Sequence, residues 1–265
     1  MGKMKVCNAA RERLEKGEMS LGVGIRTART VDIAKMMKTA GYDWLFIDLE
    51  HGPMSIEFAT TLAVAALDTG ISPIVRVPFM QHSMATRVLD NGALGIVMPH
   101  VDTADQAREI IDHLKYPPVG HRSLAGPQAI FDFKRIPIAE MIESANATLL
   151  IIALIETPTA VTNAEAIAAV AGIDALLIGT NDLAAEMGIP GEFGHARIAG
   201  AYEAVIAACR NHNKWPGMGG VDAEELMRKY IGMGMRLVLT GSDGGFMMAG
   251  ASQRAALARE WGGKA

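Results

Sequence analysis

Eight short apolar runs alternating with helix-period segments predict an α/β fold, a (β/α)8 TIM barrel occupying residues 1–265 as one domain. Length agrees, because 265 residues slightly exceed the roughly 250 typical of that fold. Composition agrees too: 50% of the chain is hydrophobic but only 5% is aromatic, with Ala, Gly, Met and Ile abundant. That balance suits helices laid on parallel strands better than an antiparallel sandwich.

Taken in order, the first strand is expected over 20–25, with Thr30 ahead of an Asp-bearing turn that starts a helix. The second, 44–48, reads Trp-Leu-Phe-Ile-Asp, and Ser55 caps an apolar-periodic helix over 55–68. Strands at 73–77 and 95–99 follow, the latter with a helix over 103–114. Segment 116–133 is rich in Pro, Gly, His and Arg and fits neither period, so it is expected to be a long loop on the functional face. Strands five and six, 149–156 and 175–179, are almost wholly aliphatic, as strands buried on both faces must be. A second irregular stretch, 188–194, comes next, and both irregular segments are expected to cover a pocket. Strand seven lies at 215–219. Asp222 then opens a helix with Glu224 and Glu225 in its first turn, and strand eight lies at 237–240.

Charge and cysteine content exclude several classes of function. A formal charge of -4 with no basic run lacks the electrostatic footprint of a nucleic-acid binder. Cys7 and Cys209 are too few and too far apart for a disulfide framework or a thiolate metal site, and no signal peptide precedes the first amphipathic stretch, so a reducing cytoplasm is the expected location. No apolar run approaches the ~20 residues of a membrane span. Work on a small molecule is what remains.

In a parallel barrel, chemistry gathers where strands emerge at their carboxyl ends. Here those ends carry Asp48, Glu50 and His51 after strand two, Arg76 on strand three, Glu156 on strand five, Asp182 just past strand six, and Ser242 and Asp243 past strand eight. Any one of these can be a helix cap or a solvated loop residue. Their common placement at one mouth points to a site.

Glu156 and Asp182 close two adjacent apolar strands and would repel each other if left unpaired. A divalent cation resolves the repulsion, and an all-oxygen pair points to a hard to borderline ion such as Mg²⁺, Mn²⁺ or Co²⁺. A 2-oxo acid would complete the shell through its carboxylate and keto oxygens. Arg76 interrupts an apolar strand; its fixed charge suits an enolate oxygen, and the alternative is a buried ion bridge to Asp48 or Glu50. His51 suits proton transfer near neutral pH, with a carboxylate such as Asp48 orienting its ring, or else is a structural histidine. A Schiff-base route requires a desolvated lysine inside the barrel, whereas Lys35, Lys38, Lys115, Lys134, Lys214 and Lys229 fall on helices, loops or strand entries. Gly219-Gly220 and Gly241-Ser242 are either backbone donors of the barrel phosphate type or simple tight turns.

Four ordered motifs, Ile47-Asp48-x-Glu50-His51-Gly52, Val75-Arg76-Val77-Pro78, Ile155-Glu156-Thr157-Pro158 and Ile178-Gly179-x-x-Asp182-Leu183, make the chain resemble the HpcH/HpaI aldolases. Gly92-Ala93-Leu94-Gly95-Ile96-Val97-Met98-Pro99 and Tyr116-Pro117-Pro118-x-Gly120-x-Arg122 extend the likeness. The resemblance implies a barrel of the phosphoenolpyruvate/pyruvate-domain type and a metal-dependent class II pyruvate aldolase. It further implies Glu156 and Asp182 as the metal-binding pair, Arg76 as the enolate stabiliser, and His51 as the acid/base residue supported by Asp48. Asp90 resembles a carboxylate lent to a neighbouring subunit's site, and Gly179, Thr180, Asn181 and Asp182 a cradle for the substrate carboxylate. A homo-oligomer, trimer or hexamer, with its last helix exchanged between subunits is implied as well. Many relatives have Gly-Pro-Ala-Asp where this chain has Gly179-Thr180-Asn181-Asp182, and some have Gln where Leu154 stands, which leaves the aldehyde open.

The expected reaction is reversible cleavage of a 4-hydroxy-2-oxo acid to pyruvate, or hydroxypyruvate, and an aldehyde. Two rivals stand beside it. One uses the same metal-enolate site on CoA thioesters or for decarboxylation; the other is a keto-acid-binding protein without catalysis.

Overall fold

All eight expected strands form, and each pairs in parallel with the next. In the computed structural model, which describes residues 6–263, β1 (Ser20–Ile25), β2 (Trp44–Asp48), β3 (Ser72–Arg76), β4 (Gly95–Met98), β5 (Leu150–Ile155), β6 (Ala175–Gly179), β7 (Trp215–Gly219) and β8 (Leu237–Ser242) close into a barrel in sequence order. The registers put Asp48 beside Arg76 and Gly179 beside Gly219, so the chemistry-bearing strand ends share one rim.

Alternation along the strands divides the apolar residues into two layers. Trp44, Phe46, Ile74, Val97, Leu150, Ile152, Leu154 and Leu177 fill the barrel. Leu45, Ile47, Val75, Ile96, Ile151, Ala153, Leu176 and Ile178 face the helices. Fully burying an aliphatic side chain of this kind contributes about 1.5–3 kcal/mol, so the layers can hold the fold while the rim stays polar. The first layer also dictates Gly22: a Cβ there would lie 2.2 Å from the Trp44 ring.

Helix α1 (Ala9–Glu15) plugs the amino-terminal end of the barrel, Ala10 and Leu14 joining the inner layer. Outside the strands run α2 (Asp32–Thr39), α3 (Ile56–Thr69), α4 (His82–Asp90), α5 (Ala104–Leu114), α6 (Ile138–Thr148), α7 (Pro158–Thr162), α8 (Ala164–Ala168), α9 (Thr180–Glu186), α10 (Ala196–Asn211), α11 (Glu224–Met233) and α12 (Asp243–Gly262). Ser55 caps α3 as expected, accepting the Phe58 N–H, and Thr103 with Gln106 forms a capping box at α5. Two other starts shift by one residue: Val31, not Thr30, precedes α2 and Ala223, not Asp222, precedes α11, neither with a side-chain cap. Glu224 and Glu225 do occupy the first turn of α11.

Segment 116–133 corrects its expectation. Rather than lying on the functional face, it folds under the amino-terminal end. Tyr116, Ile130 and Phe131 pack with Val6, Leu94 and Ala145, just ahead of β4 and β5, and the Arg122 N–H donates to the Lys115 carbonyl. Its apolar residues are sparse but cluster tightly, which periodicity does not register.

Helix α12 stands apart. None of its residues is buried, and Phe246, Met247, Met248 and Trp261 are all exposed.

Candidate active site

At the carboxyl ends of the strands opens a cavity of about 630 Å³, floored by Phe46, Leu154, Leu177 and Leu239. His51, Arg76, Glu156, Gly179, Thr180, Asn181 and Asp182 all line it, so seven of the residues singled out from sequence meet at one place.

Asp48, fully buried, lies behind that wall. Its Oδ1 accepts Arg76 Nε at 3.0 Å and its Oδ2 accepts Arg76 Nη2 at 2.6 Å. Arg76 Nη1 reaches Glu50 Oε2 at 2.9 Å. The guanidinium is therefore fixed on three nitrogens and still faces the cavity. Burial by itself would raise the Asp48 carboxyl; hydrogen bonds and charge from Arg76, the His51 backbone N–H and the charge of Arg26 outweigh it and hold the group below its ordinary value. This arrangement revises the expected partnership with His51. Asp48 Oδ1 accepts the His51 backbone N–H at 3.2 Å and does not orient the ring. The ring, 60% exposed, has Glu50 as its near carboxylate, Nε2 to Oε2 at 3.9 Å.

Glu156 follows β5 with 2% exposure. Its Oε2 accepts the His100 backbone N–H at 3.0 Å, and the His100 ring Nδ1 stands 3.4 Å from the same oxygen. Burial pushes the Glu156 carboxyl up to about 7; the nearby charge of Asp182 adds to the rise, while His100 and Arg76 oppose it. Gly179 makes room for this side chain, because a Cβ there would fall 2.7 Å from Glu156 Oε1. Thr180, Asn181 and Asp182 form the first turn of α9 rather than a loop, which leaves backbone N–H groups free of helical partners beside the cavity. Thr180 anchors that turn: its hydroxyl donates to the Gly219 carbonyl at 2.8 Å and meets the Tyr202 hydroxyl at 2.7 Å.

Asp90 is not in this mouth. It ends α4 at the opposite end of the barrel, where its Oδ1 accepts Arg122 Nη2 at 2.6 Å. Segment 188–194 does not line the cavity either. Among the described residues no lysine lines the cavity; Lys115 and Lys214 instead donate to the carbonyls of Leu149 and Ile173 at the strand entries.

Two residues of the site escaped the sequence reading. His100 lies two residues past β4, so the strand-end rule that selected the others points to it as well. Arg26 sits just past β1, its Nε 2.7 Å from Asp48 Oδ2, and lines the cavity. Among the described residues, His82, Glu109 and His113 form a separate cluster with ligand atoms within 4.8 Å of one another. The two rings stack at 4.2 Å and 10°, so their in-plane lone pairs run parallel rather than converge.

Known proteins resemble the chain in both sequence and fold. The sequence profile of the HpcH/HpaI aldolase/citrate lyase family matches residues 27–249. A 4-hydroxy-4-methyl-2-oxoglutarate aldolase of Hapsidospora irregularis is 36% identical over 250 residues, 93% of each chain. A 4-hydroxy-2-oxovalerate aldolase of Novosphingobium aromaticivorans is 37% identical over 237 residues, 89% of this chain and 88% of the other. The crystal structure of an HpcH/HpaI aldolase from Desulfitobacterium hafniense DCB-2 superposes with a TM-score of 0.90 at 28% identity, covering 94% of this chain and 96% of that one. Barrel, rim residues and relatives lead to one assignment: this chain belongs to the HpcH/HpaI aldolase/citrate lyase family.

Proposed function

We propose that the protein is a metal-dependent aldolase that reversibly cleaves a 4-hydroxy-2-oxo acid to pyruvate, or hydroxypyruvate, and an aldehyde. The observation that carries this reading is the joint exposure of Glu156, Asp182, Arg76 and His51 to one cavity. Glu156 and Asp182 suit a divalent cation. They are oxygen donors only, Gly179 clears the space beside Glu156 Oε1, and the carboxyl of Glu156 is raised to about 7 by burial and by the charge of Asp182, a strain that a cation relieves. When bound there, Mg²⁺, Mn²⁺ or Co²⁺ supplies Lewis acidity to the keto oxygen.

The chain's own residues account for the rest. Backbone around Gly179 to Asp182, where β6 passes into the first turn of α9, holds the substrate carboxylate. His51 takes the proton from the C4 hydroxyl; the C3–C4 bond breaks, the new carbonyl leaves as aldehyde, and the bonding pair passes into the pyruvate enolate. Arg76, aimed by Asp48 and Glu50, donates to the developing enolate oxygen. Among the described residues no lysine lines the cavity, which disfavours an imine route.

The same reading makes the enzyme a single-domain cytoplasmic homo-oligomer, trimer or hexamer. Helix α12, without a buried residue, suits exchange with a partner, and Asp90, remote from its own mouth, suits donation to a neighbour's. Among the described residues no helix is long and apolar enough to cross a membrane.

The test is a panel of 4-hydroxy-2-oxo acids assayed for pyruvate release by chelator-treated protein resupplied with Mg²⁺, Mn²⁺ or Co²⁺. Turnover should require the ion. Full activity of Glu156→Ala in chelator-treated buffer would sink the assignment, and failure to exchange the methyl protons of pyruvate would mark a binder rather than an enzyme.

A further inference from the structure

We propose that two buried hydroxyls, those of Tyr202 and Thr180, set the affinity for the divalent cation by holding the turn that presents Asp182. The proposal rests on the aldolase reading above and makes both side chains positioning residues for its metal site.

The two carboxylates of that site are supported differently. Glu156 is buried, and its Oε2 accepts the His100 backbone N–H at 3.0 Å. Asp182 is exposed, and among the described residues no hydrogen bond or ion pair holds its carboxylate. Its place near Glu156 therefore depends on the backbone from Gly179 to Asp182, where β6 passes into α9.

That turn is pinned through Thr180, two residues ahead of Asp182. Thr180 and Tyr202, the latter on α10 and outside the cavity lining, are both fully buried. Thr180 Oγ1 lies 2.8 Å from the Gly219 carbonyl and 2.7 Å from the Tyr202 hydroxyl. A carbonyl can only accept, so the one hydroxyl proton of Thr180 goes to Gly219 and Tyr202 must donate to Thr180. The relay thus runs one way, from α10 through the start of α9 to the end of β7. Burial raises the Tyr202 phenol above its ordinary value, which keeps this donor protonated. Its ring is fixed as well, stacked on Tyr230 at 3.8 Å and 15°, while the Tyr230 hydroxyl donates to the Phe193 carbonyl.

The seat on β7 fits closely. Gly220 has φ +82°, and a Cβ there would fall 2.6 Å from Asn181 Nδ2 and 3.3 Å from the Asn181 backbone nitrogen. The turn therefore rests directly on Gly219 and Gly220. Without the hydroxyl link it can lift from that seat and carry Asp182 away from Glu156.

The measurement is Mn²⁺ affinity by titration calorimetry for wild type, Tyr202→Phe, Thr180→Val and Thr180→Ser, with kcat taken at saturating Mn²⁺. Tyr202→Phe keeps the stacked ring and Thr180→Val keeps the branched shape, so both remove little beyond a hydroxyl. Each should weaken Mn²⁺ binding about 10- to 100-fold, the usual effect of losing a group that orients a metal ligand. Thr180→Ser should restore most of the affinity, and kcat at saturating Mn²⁺ should fall less than the affinity does. Wild-type affinity in Tyr202→Phe would overturn the proposal, as would a kcat that fell with the melting temperature while the affinity held. Should Thr180→Val fail to fold, Tyr202→Phe against wild type decides alone. A wild type that bound no Mn²⁺, or an Asp182→Asn variant that bound it as tightly as wild type, would mean that the metal site of the aldolase reading had itself failed, and this inference with it.

Discussion

Asp48 holds Arg76 along one edge of its guanidinium, Oδ1 receiving Nε at 3.0 Å and Oδ2 receiving Nη2 at 2.6 Å. A bidentate clasp fixes direction as well as charge. Asp48→Ala would leave Arg76 buried with Glu50 as its remaining ionic partner. Breaking a buried pair from one side costs about 3–5 kcal/mol. Denaturant melts should register that loss, and kcat/KM should fall by about 10²–10³ as the guanidinium loses its aim. Wild-type stability in Asp48→Ala would show the clasp to be incidental.

The same clasp sets an acid limit. Asp48 is held below its ordinary value of 3.8 because Arg76, the His51 N–H and Arg26 outweigh the opposing effect of burial. The folded protein therefore gives up this proton at a lower pH than the unfolded chain does. The resulting stabilisation is complete above about 3.8 and disappears as pH falls from there through the folded value. Urea midpoints measured from pH 6 downward should show it as a steepening of the acid limb below pH 4 that is missing from Asp48→Asn.

Strand ends were the most legible part of this site, and loops the least. Periodicity locates β2, β3, β5 and β6 to within a residue or so, because aliphatic runs buried on both faces admit few other readings. Once those strands are set, Asp48, Arg76, Glu156 and Asp182 share a rim by geometry alone. Segment 116–133 misled because polarity says that a stretch is irregular but not at which end of the barrel it lies. Asp90 and its partner Arg122 went to the amino-terminal end with it. Which carboxylate meets which base is a matter of rotamers: Asp48 turned to two arginines, and the ring of His51 was left nearest Glu50. No spacing rule carries that information.

His51 is exposed and contributes little packing, so its substitution separates chemistry from folding. His51→Gln should lower kcat by about 10²–10⁴, the usual value of a positioned acid or base. Its melting temperature should stay close to wild type. A variant retaining full kcat would move the proton transfer to another group, and His100 beside Glu156 would be the next to test.

Glu156→Gln keeps the shape of the side chain but removes its charge. Mn²⁺ should raise the melting temperature of wild type and leave that of the variant unmoved, since only a ligand that binds the folded state stabilises it. In wild type, the Glu156 proton competes with the cation below about pH 7. Affinity should accordingly fall by up to about tenfold per pH unit below that point. Titration calorimetry at pH 6 and 8 checks this, and equal affinities at the two values would contradict it.

Gly179→Ala tests the site with a single methyl group. The residue sits at φ -87°, which alanine adopts freely, so the backbone is not strained by the change. The obstacle is Glu156: the new Cβ would lie 2.7 Å from its Cγ and Oε1 and 3.1 Å from its Cδ. Glu156 is 2% exposed and cannot withdraw into solvent. It has to turn away from the position it shares with Asp182. Overpacking of this sort costs about 1–3 kcal/mol, small enough for the barrel to survive. Mn²⁺ affinity and kcat should fall together, by about 10- to 100-fold, the cost of misorienting a metal ligand. A folded Gly179→Ala protein that bound Mn²⁺ as tightly as wild type would remove Glu156 from the metal site, and with it the physical basis of the aldolase reading.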